Sequence, residues 1–251
     1  MSQTYSDVDG SADPVEAAAW QERMASWPAI RAYKERTYEL IAGSGRVIDI
    51  GCGPGVDVVA LGHDCVGVDP SGTMLAAATR RGADVCRADA HCLPFRDGAF
   101  QAARADRVFQ HLADPTAALR EMVRVVARGG RLVVADPDQE SLVIRVPGVR
   151  QGVLDRLESL RRDLGYRNGT LVSRIPELFD DVGVELTDVD AFVLTIRDPS
   201  EAFGLPTWPR GWRTEDGFTD EELVEWDQAM RSNARGFVYL VTFLVVAGVK
   251  R

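Results

Sequence analysis

The 251-residue chain contains only two lysines, Lys34 and Lys250, and carries a formal net charge of −9. No Lys/Arg block interrupts that acidity, so the electrostatic footprint of a nucleic-acid-binding protein is missing and no nucleic-acid partner is expected. No run of 18 apolar residues exists, which excludes a membrane-spanning helix. The four cysteines (Cys52, Cys65, Cys86, Cys92) form no C-x-x-C pair and no ligand spacing with the three histidines, so reduced, mostly buried thiols are expected and no metal. The first residues are polar, without a basic start or an apolar stretch behind it. No secretory leader is visible, and a cytoplasmic location is the expectation. Internal repeats and low-complexity linkers are also absent.

What is present is concentrated in one stretch. Val47-Ile48-Asp49-Ile50 is an apolar run that turns into Gly51-Cys52-Gly53-Pro54-Gly55, and a second apolar run, Val66-Gly67-Val68, ends on Asp69. Glycines remove Cβ atoms, so the backbone can turn sharply and approach a ligand closely. A carboxylate closing the neighbouring strand is placed to accept hydrogen bonds from both hydroxyls of a ribose. Two adjacent parallel strands with a nucleoside-containing cofactor across their carboxyl ends explain the arrangement. A dinucleotide loop would place a third glycine where Val56 stands, and no Tyr-x-x-x-Lys exists, which argues against a dinucleotide-dependent oxidoreductase.

From Arg46 onward strands and helices alternate, which predicts a doubly wound, mostly parallel α/β sheet. Strands are expected near 46–50, 65–68, 84–87, 100–105 and 131–135. Helices are expected over 72–81 and from Pro115, capped by Asp114, to the Gly129-Gly130 pair. In front, Asp13-Pro14 opens a helical pattern that Pro28 divides in two. Residues 1–12 are expected to be mobile until a ligand orders them. Behind, helices are expected over 149–165, 171–182 and 219–231, an edge strand over 185–197, and a long buried strand over 237–249. The Pro-, Gly- and Trp-rich segment 198–213 reads as a loop or lid.

The blocks around Gly51–Gly55, Asp69 and Asp89, followed by the ungapped stretch from Phe100 to Pro115, resemble the class I S-adenosylmethionine-dependent methyltransferases. The similarity is greatest to the small-molecule branch that includes ubiquinone- and menaquinone-biosynthesis enzymes, and it covers roughly residues 46–136. The family usually has Asp where this chain has Gln101. The resemblance implies a seven-stranded Rossmann-like sheet ending in an antiparallel pair. It implies a helical cap over residues 1–42 and a methyltransferase domain over 43–251, with lid insertions at about 137–184 and 198–235.

It also implies S-adenosylmethionine as cofactor, held by Asp49, Gly51, Cys52, Gly53, Gly55, Asp69, Pro70, Met74, Asp89, Ala90, His91, Ala105 and Arg107. Asp49 would lie near the ammonium group, Asp69 on the ribose, Pro70 and Met74 beside the adenine, and Asp89 on the adenine amino group. Arg104 to Val108 would form the floor beside the methionine moiety. His111 is either a general base or polar anchor near the transferred methyl, or a helix residue bonded to a neighbouring loop. Asp138, in the acidic stretch after the fifth strand, is a second group able to orient or deprotonate a substrate. Trp20, Trp27, Trp208 and Trp212 are candidate walls for an apolar or aromatic small-molecule acceptor, with core packing and a surface-packed loop as the alternatives.

Methyl transfer to an O, N or C atom is the implied reaction. A repurposed scaffold that binds the cofactor and catalyses a cyclisation is the alternative. A homodimer is left open by the apolar N-terminal helices. The Arg-, Ala-, Val- and Gly-rich composition is associated with high-GC bacterial genomes, where such enzymes often serve secondary metabolism.

Overall fold

The computed structural model describes residues 7–211, 217–231 and 236–251. Two N-terminal helices, α1 (Pro14–Ala25) and α2 (Pro28–Ile41), precede the alternating part of the chain. That part runs β1 (Val47–Ile50), α3 (Val56–Leu61), β2 (Cys65–Asp69), α4 (Gly72–Arg80), β3 (Val85–Arg87), β4 (Phe100–Asp106), α5 (Pro115–Val125) and β5 (Val126–Arg145). The C-terminal third comprises α6 (Gln151–Leu164), α7 (Ile175–Asp181), β6 (Val184–Ile196), the single turn α8 (Trp208–Gly211), α9 (Asp220–Arg231) and β7 (Val238–Lys250).

The seven strands form one sheet in the order β3-β2-β1-β4-β5-β7-β6. β1 to β5 pair in parallel, while β7 runs antiparallel between β5 and β6. β1, β2 and the interior of β4 are buried on both faces, as their near-continuous apolar runs require. One face packs Ile30, Tyr33 and Leu40 of α2, Leu154 and Leu157 of α6 and Trp226 of α9 against the sheet. The other packs Leu119 and Met122 of α5 and Phe179 of α7. Met74 and Ala77 of α4 meet Val8, Ala17 and Ala18, tying the N-terminal segment to the cofactor-side edge.

Three departures from the sequence pattern have local causes. Helix α5 ends at Val125 instead of at the glycine pair, because Val126 turns extended and pairs with Phe100. Gly130 lies within β5, where a Cβ would fall 2.7 Å from the Gln101 carbonyl oxygen, so that glycine serves strand packing and not helix termination. The segment after Asp198 is not one open loop: it forms two 3-10 turns and then α8, with Trp208 buried. Third, residues 7–12 are docked, since Asp9 accepts from Ser71 Oγ (2.6 Å), Gly72 N (2.8 Å) and Thr73 N (3.1 Å) at the start of α4.

Candidate functional site

A cavity of about 530 Å3 opens at the carboxyl ends of β1, β2 and β4, beneath α1 and α2. This is where an open α/β sheet with a strand-order reversal binds ligands. Its glycine loop divides its work among three residues, all with positive φ. A Cβ on Gly51 would lie 2.5 Å from Val108 Cγ2, and one on Gly55 would lie 2.7 Å from Ala78 Cβ. Those two glycines allow close packing of the loop on its own protein. At Gly53 an added Cβ would meet only Met74 Sδ, at 3.9 Å, so this is the glycine that leaves room for a ligand. Cys52, Pro70 and Met74 also line the cavity, while Gly55 and Ala105 do not.

Asp69 braces the loop: Oδ2 accepts from Gly53 N (3.0 Å) and Oδ1 from Ser71 N (2.9 Å). A carboxylate has about four acceptor sites, so two remain for a diol. Burial raises its pKa, against those two backbone hydrogen bonds. Ala90, His91 and Asp89 border the same end of the cavity. Asp89 Oδ1 accepts from His91 N (2.9 Å) and meets His91 Nδ1 (2.5 Å), while His91 Nε2 accepts from Asp114 N (3.3 Å). His91 therefore joins the loop after β3 to the cap of α5.

The floor differs from the family-based expectation. Asp49 does not line the cavity; it lies beneath, 2.7 Å from Arg104 Nη1. Arg104, fully buried in the middle of β4, also meets Asp57 (3.2 Å) and Asp106 (3.1 Å). Lys34 of α2 pairs with Asp57 (2.5 Å) and Asp106 (3.0 Å). Tyr33 donates to Asp106 (3.0 Å), and Tyr38 donates to Asp57. Burial pushes Asp49 up to about 6, with the Arg104 guanidinium opposing. For Asp57 burial acts the same way, yet Arg104 and Lys34 overcome it and hold the carboxyl below the ordinary range. Lys34, Asp57, Arg104 and Asp106 all reach the cavity surface.

Lys34 and Asp57 are site residues that the motif did not point to. A signal existed for Lys34, because it sits on the buried stripe Ile30, Tyr33, Thr37, Leu40 and Ile41 of α2, where a lone cation demands partners. Asp106 directly adjoins Arg107 at the end of β4. Arg107 takes φ +58°, an unusual backbone for a non-glycine residue, and donates its N–H to Ala135 O at 2.7 Å. Its guanidinium reaches Met24 of α1.

His111 lies at the far side of this floor, its ring 5.4 Å from Tyr166. Burial, aided by the charges of Arg107 and Arg161, lowers its pKa to about 3, so the imidazole is neutral at neutral pH. Asp138 does not line the cavity, and its Oδ1 accepts from Glu140 N (3.1 Å). The flanking Pro137 and Gln139 do face the cavity, as strand alternation dictates. Trp20 lines it and meets Trp27 edge-on at 5.8 Å, and Trp27 in turn packs on Phe203. Trp208 is a wall element at second remove: it is buried, donates to Phe203 O (2.9 Å) and packs on Tyr239. Trp212 lies outside the described residues.

Residues 48–134, which supply the glycine loop, Asp69, Asp89 and the floor, match the family described as "Methyltransferase domain". The chain carries a class I S-adenosylmethionine-dependent methyltransferase domain. Its relatives include the demethylmenaquinone methyltransferase of Mycolicibacterium vanbaalenii, 39% identical over 111 residues, or 42% of this chain and 49% of that enzyme. An uncharacterized 37.1 kDa protein in transposon TN4556 of Streptomyces fradiae is 33% identical over 221 residues, or 80% of this chain and 61% of that protein. The chain thus spans 49% and 61% of the length of these two relatives, less than two thirds of either. The YcgJ protein of Bacillus subtilis shares the fold, with a TM-score of 0.62 at 20% identity over 88% of this chain and 99% of that one.

The cavity fits the cofactor of such a domain: open space over Gly53 and two unused acceptor sites on Asp69 stand together at one end. Among the described residues no group of His, Cys, Asp or Glu could hold a metal, and no helix is long and apolar enough to cross a membrane.

Proposed function

We propose that this protein transfers a methyl group to an O, N or C atom of a small molecule. The observation that carries the reading is the continuity of one cavity between two chemically different ends. At one end stand Gly53, Asp69 and Asp89; at the other stand Gln139, Tyr166, Phe203 and Tyr239. His111 and Arg107 line the same cavity.

Bound S-adenosylmethionine would supply an electrophilic methyl on a sulfonium. Gly53 and Asp69 would hold the ribose side, with Pro70, Met74, Asp89 and the Ala90–His91 segment around the adenine. Arg107 and the acids of the floor would meet the amino-acid moiety. Trp20 and Met24 of α1, with Val8 and Asp9, line the cavity on the N-terminal side and would shield a bound cofactor from water. The chain's main contribution to rate is then to hold two reactants in line. Where the acceptor must lose a proton, His111 is a lining residue able to accept a hydrogen bond from it, and burial makes that imidazole a weak base.

The test is calorimetric titration of S-adenosylhomocysteine into the wild type and Asp69→Ala. Micromolar binding that is lost in the variant supports the reading, and an acceptor screen with methyl-labelled cofactor then follows. Absence of binding to the wild type would overturn it.

A further inference from the structure

Behind the acceptor end of the cavity, in contact with the lining residue Tyr166, lies a charge that has no counter-ion among the described residues. Arg161, in the last turn of α6, is 5% exposed, and among the described residues no carboxylate lies within ion-pair distance of it. The acids near it in sequence are engaged elsewhere: Asp163 with Arg162, and Glu158 with Arg145. Its Nε is buried without a hydrogen-bond partner. The guanidinium rests over two rings, 3.9 Å from the Trp208 centroid and 4.3 Å from that of Tyr166. Ring faces and the carbonyl end of a helix moderate a desolvated cation, but they do not neutralise it.

Its one side-chain hydrogen bond fixes an orientation. Arg161 Nη2 donates to the Tyr166 hydroxyl. A guanidinium has no acceptor, so the Tyr166 oxygen receives that bond and its own proton is left to be given elsewhere. Tyr166 lines the cavity beside the exposed cation Arg167. Two further polar groups there are unsatisfied, since Gln110 and Gln139 line the cavity with each Oε1 buried and unpartnered. A carboxamide can rotate to offer its N–H2 instead. The acids that line the cavity (Asp7, Asp9, Asp57, Asp69, Asp89, Asp106) belong to the N-terminal segment, the cofactor end and the floor, which leaves Arg161 and Arg167 as the charged groups at this end.

We infer that the acceptor is an aromatic acid whose carboxylate is received by the Tyr166 hydroxyl and Arg167. Arg161 acts as the positioning residue that turns Tyr166 into a donor and supplies the buried positive field. The aromatic walls Tyr166, Phe203 and Tyr239 suit the ring of such a molecule. This assignment rests on the methyltransferase reading above, in naming what occupies the acceptor end.

The test uses matched probes, 4-hydroxybenzoate and its neutral isostere 4-hydroxybenzamide, titrated into the protein with and without saturating S-adenosylhomocysteine. The wild type is expected to prefer the carboxylate by roughly tenfold to a hundredfold, the range for hydrogen bonds to a charged group. Arg161→Gln should bring the two probes together, Arg161→Lys should retain the preference, and Tyr166→Phe should weaken the carboxylate more than the amide. Equal affinities in the wild type, or no detectable binding of 4-hydroxybenzoate, would overturn the assignment without any variant. An unchanged preference in folded Arg161→Gln would remove Arg161 from it. Failure of S-adenosylhomocysteine to bind would instead count against the methyltransferase reading, and the probe preference is measured independently of it.

Discussion

Arg104→Met is the perturbation that tests the floor of the site most directly. Arg104 is the one buried cation touching Asp49, Asp57 and Asp106 together. In its absence Lys34 still serves Asp57 and Asp106, but Asp49 loses its ion-pair partner. Removing one member of a buried pair costs about 3–5 kcal/mol, because an uncompensated charge stays behind. Asp49 has an escape: burial already pushes it up to about 6, and without Arg104 it moves higher. A carboxyl raised in the folded state contributes stability at low pH and loses it as pH rises through the folded value. Each pH unit in that window is worth about 1.4 kcal/mol. Urea unfolding at pH 8 should therefore show a loss of about 3–5 kcal/mol, shrinking by about 2 kcal/mol at pH 5.5. Adding Asp49→Asn should restore most of the pH 8 deficit. A loss below about 1 kcal/mol at pH 8, or equal losses at the two pH values, would refute the account.

Four further outcomes follow from the geometry. Gly51→Ala meets Val108 at 2.5 Å and should cost roughly 2–4 kcal/mol by denaturant unfolding, from overpacking and positive φ together. Gly53→Ala has free space, so it should cost only about 1–2 kcal/mol yet weaken S-adenosylhomocysteine at least roughly tenfold by calorimetry. Asp9→Ala removes three acceptor contacts at the start of α4, so the Gly72 and Thr73 amides should exchange hydrogen faster with the global midpoint nearly unchanged. His111 should show no titration of its ring protons between pH 5 and 8 by NMR, since its folded value lies near 3. With the base depressed in the fold, its contribution to stability is complete above 6.5 and declines as pH falls toward 3; a ring titrating near 6.5 would contradict the buried placement.

The sequence by itself determined the frame of the cofactor end. Val47–Ile50 and Cys65–Asp69 are apolar enough to be strands buried on both faces, and glycines at 51, 53 and 55 mark a turn that only residues without Cβ can make. Those signals are local, and the structure places β1, β2 and Asp69 where they indicate. The antiparallel end of the sheet was legible too, because residues 238–250 form a long apolar run flanked by an alternating edge strand.

Which charge meets which was decided by tertiary structure alone. Asp49 reads as a ligand-facing carboxylate until β4 is laid beside β1 with Arg104 opposite Asp49, which converts it into a buried counter-ion. Lys34 arrives from a helix that lies outside the glycine-loop region, 23 residues from Asp57. Trp208, in a segment that looks exposed by composition, is buried because α6 brings Arg161 beneath its ring. Strands and tight turns follow from interactions between neighbours in sequence, whereas a buried ion-pair network depends on desolvation and register between distant segments. Neither quantity is written in the spacing of residues along one strand.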